Sequence, residues 1–290
     1  MATDFVLDLD ALVRVQRGLV VPDAVAIVGA GRWGKILCNV LTEFTPAIAS
    51  IALVAERNHA ATCQWLDERR RELPRNGHDR VRVLSSIDEI LTSDRVQAAF
   101  VTKMASEHYA TTKQLLLAGK DVLVEKPFVL RAAQAEELVA IAQRQGRTLA
   151  VGYEFMYARA LHDFRQLVAA RLSDVRTVHY VWDDTPNAVK WGLVKQPDLS
   201  SNVVTDLYPH VLSQLLVLFG RQDVVLRELT TRDGYAHATL AFDYGPIAVT
   251  ASLDKRAAAP RPRSTRPTRP ADRRRSISRT IPAGSSATGR

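Results

Sequence analysis

A glycine-rich run near the start of the chain has the spacing of a phosphate-binding turn. The run is Gly29-Ala30-Gly31-Arg32-Trp33-Gly34, and it follows an apolar segment that predicts a β-strand. In such a turn the first glycine reverses the chain, the second lets the backbone approach a pyrophosphate, and the third allows close helix–strand packing. The N-terminus of the next helix then binds the phosphates. The run therefore predicts a dinucleotide-binding site. The alternative is a glycine turn with a purely structural role.

An acidic residue lies where dinucleotide-binding folds recognise a ribose. Glu56 ends the second predicted strand, 22 positions after Gly34, close to the expected spacing of about 20. Its carboxylate can accept hydrogen bonds from both ribose hydroxyls, which favours NAD, and it would repel the 2′-phosphate of NADP. Arg57 and Arg32 could pair with that phosphate, so NADP stays open as the cofactor.

Two further motifs could supply proton-transfer chemistry. Lys126, within Glu125-Lys126-Pro127, directly follows a predicted strand, and ligands bind at the carboxyl ends of parallel strands. Asp206 and His210 are four residues apart on a predicted helix and therefore share one face. A carboxylate beside an imidazole can fix its tautomer and make it a proton acceptor. Taken singly, the lysine could be a solvated charge and the Asp–His pair a structural contact.

The elements that must position these residues alternate between strand and helix from residue 23 to residue 152. That alternation predicts β-α-β units, a parallel sheet and a complete doubly wound Rossmann domain. The predicted strands are 24–28, 50–55, 81–84, 98–102, 122–124 and 148–152, and the predicted helices are 32–44, 59–73, 87–91, 107–118 and 131–145.

The pattern changes after Gly152. Residues 153–255 predict a separate α+β domain with an incomplete antiparallel sheet. Its predicted helices are 157–171 and 202–219, with Pro209 marking a first turn or a kink of the second helix. The predicted strands are 175–182, 224–230, 236–242 and 247–253, and residues 183–200 are predicted to be a loop.

The charge of the chain is concentrated at one end. The net charge is +8, but residues 256–290 contain ten Arg and one Asp, so the rest is close to neutral. This segment has five Pro and lacks aromatic residues, which predicts a disordered basic tail that binds no nucleic acid. Alternatively, this segment could arise from a GC-rich gene that is read out of frame. Residues 1–22 are interpreted as an N-terminal extension.

Other features of the composition concern metals, membranes and location. Two cysteines, Cys38 and Cys63, are too few for a disulfide framework or a zinc site, and no metal is expected. The longest apolar run, residues 211–219, is about half the length of a membrane span. The acidic N-terminus lacks the character of a secretory signal, so a cytoplasmic protein is expected.

Together the motifs resemble the Gfo/Idh/MocA family, named for glucose-fructose oxidoreductase and inositol dehydrogenase. Residues 26–35 are similar to its glycine loop, residues 98–108 to its strand and loop beside the nicotinamide, and residues 119–127 to its lysine signature. Asp206 and His210 match the residues that open its substrate-domain helix. The resemblance covers about residues 22–255.

The resemblance implies hydride transfer between NAD or NADP and a carbon that bears a hydroxyl in a sugar, nucleotide sugar or cyclic polyol. His210 would remove the hydroxyl proton, Lys126 would stabilise the oxyanion, Asp206 would orient His210, and Glu125 would position Lys126. The implied cofactor-binding residues are Gly29, Gly31, Arg32, Trp33, Gly34, Glu56, Arg57, Thr102, His108, Glu125 and Lys126. Substrate could also meet Tyr153, Tyr157, Trp182, Lys195 or Tyr208.

The sequence departs from the family pattern at two places, after the fourth strand and in the second sheet. Lys103 and Met104 stand where relatives have proline after the fourth strand, which changes the expected nicotinamide contact. Relatives also continue for several more strands that form a dimer face, so a homo-oligomer is expected only with a complete sheet. The incomplete sheet predicts an unpaired edge, an exposed apolar face and a melting temperature below about 60 °C. An imine reductase of the same family and a non-catalytic dinucleotide-binding remnant remain as alternatives.

Overall fold

A computed structural model of the chain describes residues 22–73, 77–183, 189–190, 193–194, 202–255 and 277–278. Residues 1–21 of the predicted N-terminal extension and most of the predicted basic tail lie outside these residues. The chain divides between Gly152 and Tyr153 into two compact units.

The first unit is a six-stranded sheet in the order β3-β2-β1-β4-β5-β6 with every strand parallel to its neighbours. This arrangement confirms the predicted Rossmann fold class. Its strands are β1 (Ala24–Val28), β2 (Ser50–Val54), β3 (Val81–Leu84), β4 (Val96–Val101), β5 (Asp121–Val124) and β6 (Leu149–Val151). Its helices are α1 (Arg32–Phe44), α2 (His59–Glu72), α3 (Asp88–Leu91), α4 (Ala105–Leu117) and α5 (Ala132–Gln145).

Both faces of this sheet are covered. Along β1 the side chains alternate between two buried clusters, one with residues of α3, α4 and α5 and the other with residues of α1 and α2. All five residues of β1 are buried, which is the pattern of a central parallel strand. The carboxyl end of β1, where the glycine run begins, is therefore held in place by packing on both faces of the sheet.

The second unit packs one long helix, α8 (Val203–Phe219), against a five-stranded sheet in the order β10-β11-β12-β7-β13. Its strands are β7 (Thr177–Asp183), β10 (Val224–Arg232), β11 (His237–Tyr244), β12 (Ile247–Asp254) and β13 (Ile277–Ser278), and β8 (Val189–Lys190) pairs with β9 (Leu193–Val194). Val203, Leu207, Val211 and Leu215 of the helix face Leu240, Phe242, Val249 and Leu253 of the sheet in one buried cluster.

The predicted antiparallel pairing is present from β10 to β12, but the sheet as a whole is mixed. Strands β10, β11 and β12 form antiparallel hairpins, but β7 runs parallel to β12, and β13 runs parallel to β7. Helix α8 carries the chain back across the sheet after β7, so β10 starts at the same end as β7 and the sheet is mixed.

Three smaller differences concern local structure. The predicted helix 157–171 is divided into a 3₁₀ turn (Glu154–Tyr157), α6 (Arg159–Leu167) and α7 (Ala169–Leu172), because Val168 leaves the helical conformation. The predicted loop 183–200 contains the β8–β9 hairpin. Pro209 is the seventh residue of α8, so it lies beyond the first turn, which Asn202 caps by accepting from the Thr205 N–H.

Exposed apolar residues are concentrated on β10. Val224, Val225, Leu226 and Leu229 are between 41% and 55% exposed. The described part of the chain contains no helix long and apolar enough to cross a membrane.

Candidate active site

The glycine loop after β1 depends on glycine at its first and last positions. Gly29 has φ +117°, a backbone conformation that favours glycine, and a Cβ there would come within 2.8 Å of the Thr102 backbone. A Cβ on Gly34 would overlap the carbonyl oxygen of Gly29. These two contacts are the tight turn and the close helix–strand packing predicted from the spacing.

The second glycine differs from the other two. A Cβ built on Gly31 would have no atom of the described residues within 4 Å. Gly31 is the residue before the first turn of α1, and Arg32 and Trp33 in that turn are exposed. The open backbone at a helix N-terminus matches the space and the N–H groups that a pyrophosphate needs.

Side chains from the ends of neighbouring strands hold this loop in place. Thr102, directly after β4, donates its hydroxyl hydrogen to the carbonyl oxygen of Gly29 at 2.7 Å. Asn58 donates from Nδ2 to the carbonyl oxygen of Ala30 at 3.1 Å. Thr102 was expected to contact the cofactor, and the structure shows it bound to the loop backbone. Asn58 was not predicted.

Glu56 lies beyond the end of β2, and its carboxylate is part of an ion-pair network. Lys103 Nζ lies 2.5 Å from Glu56 Oε2 and 3.2 Å from Glu107 Oε1, and Arg57 Nη2 lies 2.7 Å from Glu107 Oε1. Burial lowers the pKa of Lys103, but the hydrogen bonds to Glu56 and Glu107 more than offset it, so the pKa is raised. The lysine that departs from the family pattern is therefore the partner of the predicted ribose-binding carboxylate.

His108 joins two loops at this edge of the sheet. Its side chain is buried, with Nδ1 2.8 Å from the carbonyl oxygen of Pro127 and Nε2 3.0 Å from the carbonyl oxygen of Lys103. These contacts hold the loop after β5 beside the loop after β4. His108, expected at the nicotinamide, contacts the backbone of both loops.

Lys126 is half-buried in the loop after β5, and the Lys126–Pro127 peptide bond is cis. Its backbone N–H donates to Glu125 Oε2 at 3.2 Å. A Cβ built on Gly152 would come within 3.2 Å of Glu125 Oε1, so the absence of a side chain there leaves room for this carboxylate. The carboxylate of Glu125 is thus in contact with the backbone of Lys126.

In the second unit, His210 lies in an aromatic environment on α8. Its ring is buried and stacks on Trp182 at a centroid distance of 5.3 Å, with the edge of Phe155 at 5.2 Å. Glu154 Oε2 lies 3.8 Å from His210 Nδ1. Sequence reasoning missed Glu154, since no local spacing connects it with His210.

Asp206, one turn before His210, has a buried cation beside it. Lys255 Nζ lies 2.8 Å from Asp206 Oδ2, and the lysine side chain is only 3% exposed while the aspartate is 22% exposed. The expected partner of Asp206 was His210 alone. Lys255 directly follows β12, and its distance from Asp206 in sequence left no signal for the pair.

The other predicted substrate contacts have mixed environments. Tyr157 is 67% exposed, whereas burial raises the pKa of Tyr208 to about 12 and its ring packs on Phe242. Burial also raises the pKa of Tyr153. Lys195 lies outside the described residues.

The chain resembles known oxidoreductases most clearly over the first unit. Residues 24–153 match the family described as "Oxidoreductase family, NAD-binding Rossmann fold". The scyllo-inositol 2-dehydrogenase (NADP(+)) IolW of Bacillus subtilis is 26% identical over 189 residues, which are 63% of this chain and 52% of that protein. The dTDP-3,4-didehydro-2,6-dideoxy-alpha-D-glucose 3-reductase of Streptomyces violaceoruber is 32% identical over 133 residues, which are 45% and 39% of the two chains.

Solved structures share the fold over both units. GenD2 from gentamicin A biosynthesis, solved in complex with NAD, superposes with a TM-score of 0.67 at 24% identity and covers 82% of this chain and 67% of its own. The chain spans about half the length of curated relatives that it matches. With the glycine loop, Glu56 and the Lys126–Pro127 segment in place on an NAD-binding Rossmann fold, residues 24–153 belong to the Gfo/Idh/MocA oxidoreductase family.

Proposed function

We propose that this chain is an NAD(P)-dependent dehydrogenase that acts on a carbinol carbon of a sugar, nucleotide sugar or cyclic polyol. The observation that carries the proposal is the buried imidazole of His210 beside the carboxylate of Glu154, in a protein whose other unit is a dinucleotide-binding fold. An imidazole so placed can accept the proton of a hydroxyl group as that group is oxidised. The inositol and sugar-nucleotide specificities of the two relatives support this class of substrate.

The residues of the first unit would hold the cofactor. The open backbone at Gly31 and the N-terminus of α1 bind the pyrophosphate, and Glu56 receives the ribose hydroxyls. When bound, the nicotinamide supplies the hydride acceptor or donor. His108, Thr102 and Asn58 keep the loops around it in position through the backbone contacts described above.

Two residues would carry the proton chemistry. Lys126 places an ammonium after β5 that stabilises the developing negative charge on the substrate oxygen. His210 accepts the hydroxyl proton at an imidazole nitrogen, Glu154 stabilises the resulting imidazolium, and Asp206 fixes this turn of α8 through Lys255. In the reductive direction the same groups act in reverse, with His210 returning the proton.

A substrate screen with two variants tests the proposal. The chain is assayed for NAD⁺ and NADP⁺ reduction at 340 nm with sugars, nucleotide sugars and inositols, and then as His210→Ala and Lys126→Met. Loss of one acid–base group lowers kcat by about 10²- to 10⁴-fold. His179→Ala, on an exposed position of β7, and Lys113→Met, on α4, serve as matched controls that keep full activity.

Undiminished kcat in both catalytic variants would show that the assignment is wrong. Dinucleotide binding without turnover of any alcohol would favour the non-catalytic alternative, and turnover of cyclic imines with indifference to sugars would favour the imine reductase.

A further inference from the structure

The ion pair between Lys103 and Glu56 occupies the position where a dinucleotide site distinguishes its two cofactors. Glu56 is two residues beyond β2 and Lys103 is two residues beyond β4, and β1 lies between these strands in the sheet. Their 2.5 Å contact therefore spans the carboxyl end of β1, where the glycine loop begins. The residue that ends the second strand is the one that meets the 2′ position of the adenosine ribose.

The charges at this position are balanced. Glu56 and Glu107 supply two carboxylates, and Lys103 and Arg57 supply two cations that pair with them. A lone carboxylate at the 2′ position would repel the phosphate of NADP, which carries about −1.5 to −2 charges at pH 7. Lys103 is 15% exposed, so water screens its ammonium less than that of a surface lysine.

We propose that Lys103 is a cofactor-specificity residue whose charge offsets that of Glu56, so that this chain binds both NAD and NADP. The pair uses Oε2 of Glu56, so Oε1 is the oxygen that would accept hydrogen bonds from the ribose hydroxyls of NAD. For NADP, the ammonium lies beside the carboxylate that would otherwise exclude the 2′-phosphate. Lys103 thus supplies the positive charge near the 2′-phosphate that the sequence analysis expected from Arg57 or Arg32.

The two arginines are placed less well for this role. Arg57 is 68% exposed and its guanidinium pairs with Glu107. Arg32 is exposed in the first turn of α1. Among the residues that the structure describes, Lys103 is the cation in direct contact with Glu56.

Titration of the full chain with NADH and NADPH, followed by nicotinamide fluorescence in the absence of substrate, tests this inference. We expect the two Kd values of the unmodified chain to agree within about tenfold. Lys103→Met should raise the Kd for NADPH by at least about tenfold, the effect of losing one charge contact of about 1.4 kcal/mol. The Kd for NADH should change by less than about threefold. Lys113→Met removes a lysine in a similar 2.6 Å ion pair with Glu137 and should change neither value.

The reciprocal variants show whether the two charges offset one another. Glu56→Gln should lower the Kd for NADPH and raise that for NADH, and the double variant Lys103→Met/Glu56→Gln should return the ratio of the two to within about threefold of the starting value. A double variant as poor for NADPH as Lys103→Met alone would overturn the inference, as would an unmodified chain that binds NADPH more than 100-fold more weakly than NADH.

The inference rests on the dinucleotide-binding part of the proposed function and is independent of the reaction. Since the titration needs no turnover, a chain that binds both dinucleotides but oxidises no alcohol would contradict the proposed dehydrogenase and still support the role of Lys103.

Discussion

The two units of this protein hold their functional residues in different ways. In the Rossmann unit the glycine loop depends on close approaches of the backbone, which Thr102 and Asn58 support by hydrogen bonds: a Cβ on Gly34 would overlap Gly29, and one on Gly29 would crowd Thr102. In the α+β unit the residues around His210 are fixed by side chains from separate elements. Trp182 lies on β7, Phe155 and Glu154 lie in the 3₁₀ turn, and Lys255 follows β12.

This difference affects how each site responds to change. A site built from backbone tolerates substitution of the side chains around it. It does not tolerate a Cβ atom at a glycine where two backbone segments are in contact. In a site built from side chains, each lost contact lowers the free energy of unfolding by the contribution of that contact. A second substitution that removes the unpaired partner can recover part of this free energy.

The largest effect is expected at the third glycine. Gly34→Ala should destabilise the protein by at least about 3 kcal/mol and abolish NADH binding, because the new methyl group overlaps backbone rather than a flexible side chain. Thermal denaturation and NADH titration measure the two effects. Gly31→Ala is the matched control: it should retain the melting temperature while weakening NADH binding, since its methyl group fills only the open space over the loop. If Gly34→Ala and Gly31→Ala lower the melting temperature equally, the close backbone contact at Gly34 is not what makes that position sensitive.

A smaller effect is expected at the buried ion pair of the α+β unit. Lys255→Met leaves the carboxylate of Asp206 without this cation, at a cost of about 2 kcal/mol, below the ~3–5 kcal/mol of fully buried pairs because Asp206 is 22% exposed. Urea denaturation measures the change.

Two comparisons sharpen the ion-pair prediction. Adding Asp206→Asn to Lys255→Met should recover part of the lost stability. Arg227→Ala, which breaks the exposed pair with Asp243, should cost less than about 1 kcal/mol. If the exposed pair proves as valuable as the buried one, side-chain burial does not set the stability of this unit.

A single hydrogen bond to Tyr180, which stacks on Trp182, gives an effect of about 1 kcal/mol. Gln214 donates from Nε2 to the hydroxyl oxygen of Tyr180 at 2.7 Å, and Tyr180 stacks on Trp182. Tyr180→Phe removes the acceptor and leaves the buried amide N–H to be satisfied elsewhere, which lowers the free energy of unfolding. Tyr157→Phe, on an exposed ring, is the control and should change stability by less than about 0.5 kcal/mol.

The smallest effect is pH-dependent and lies in the Rossmann unit, where side chains do contribute. Burial raises the pKa of Glu107, but hydrogen bonds from Lys103 and Arg57 more than offset this, so its pKa in the folded protein is lowered. The stabilisation is therefore present above the unfolded pKa of about 4.3 and is lost as the pH falls through the folded value.

Glu107→Gln should accordingly be less stable than the unmodified chain at pH 6, by less than about 1 kcal/mol, and equally stable once the pH is below the folded pKa. Chemical denaturation at several pH values measures the difference. A difference that persists at low pH would mean that the glutamine disturbs packing rather than charge.

Much of the Rossmann unit could be predicted from sequence because its site follows strand ends. The positions of Gly29, Gly31 and Gly34 agree with the turn that their spacing indicated, and Glu56 follows β2 as expected. The Lys103–Glu56 pair was within reach of the same logic, since residues that follow parallel strands meet at one edge. The sequence does not show which cation meets Glu56, because Arg32, Arg57 and Lys103 all follow strands that end at this edge.

The sequence alone determined the β-α-β order, the glycine loop and the helix that carries Asp206 and His210, because these depend on spacing within one strand–turn–helix segment or one helix. Only the tertiary structure decided that the second sheet is mixed and that Lys255, Glu154 and Trp182 surround that helix face. Those partners come from elements far apart in the chain, and which of them meet is set by how strands and helix pack together rather than by any local pattern.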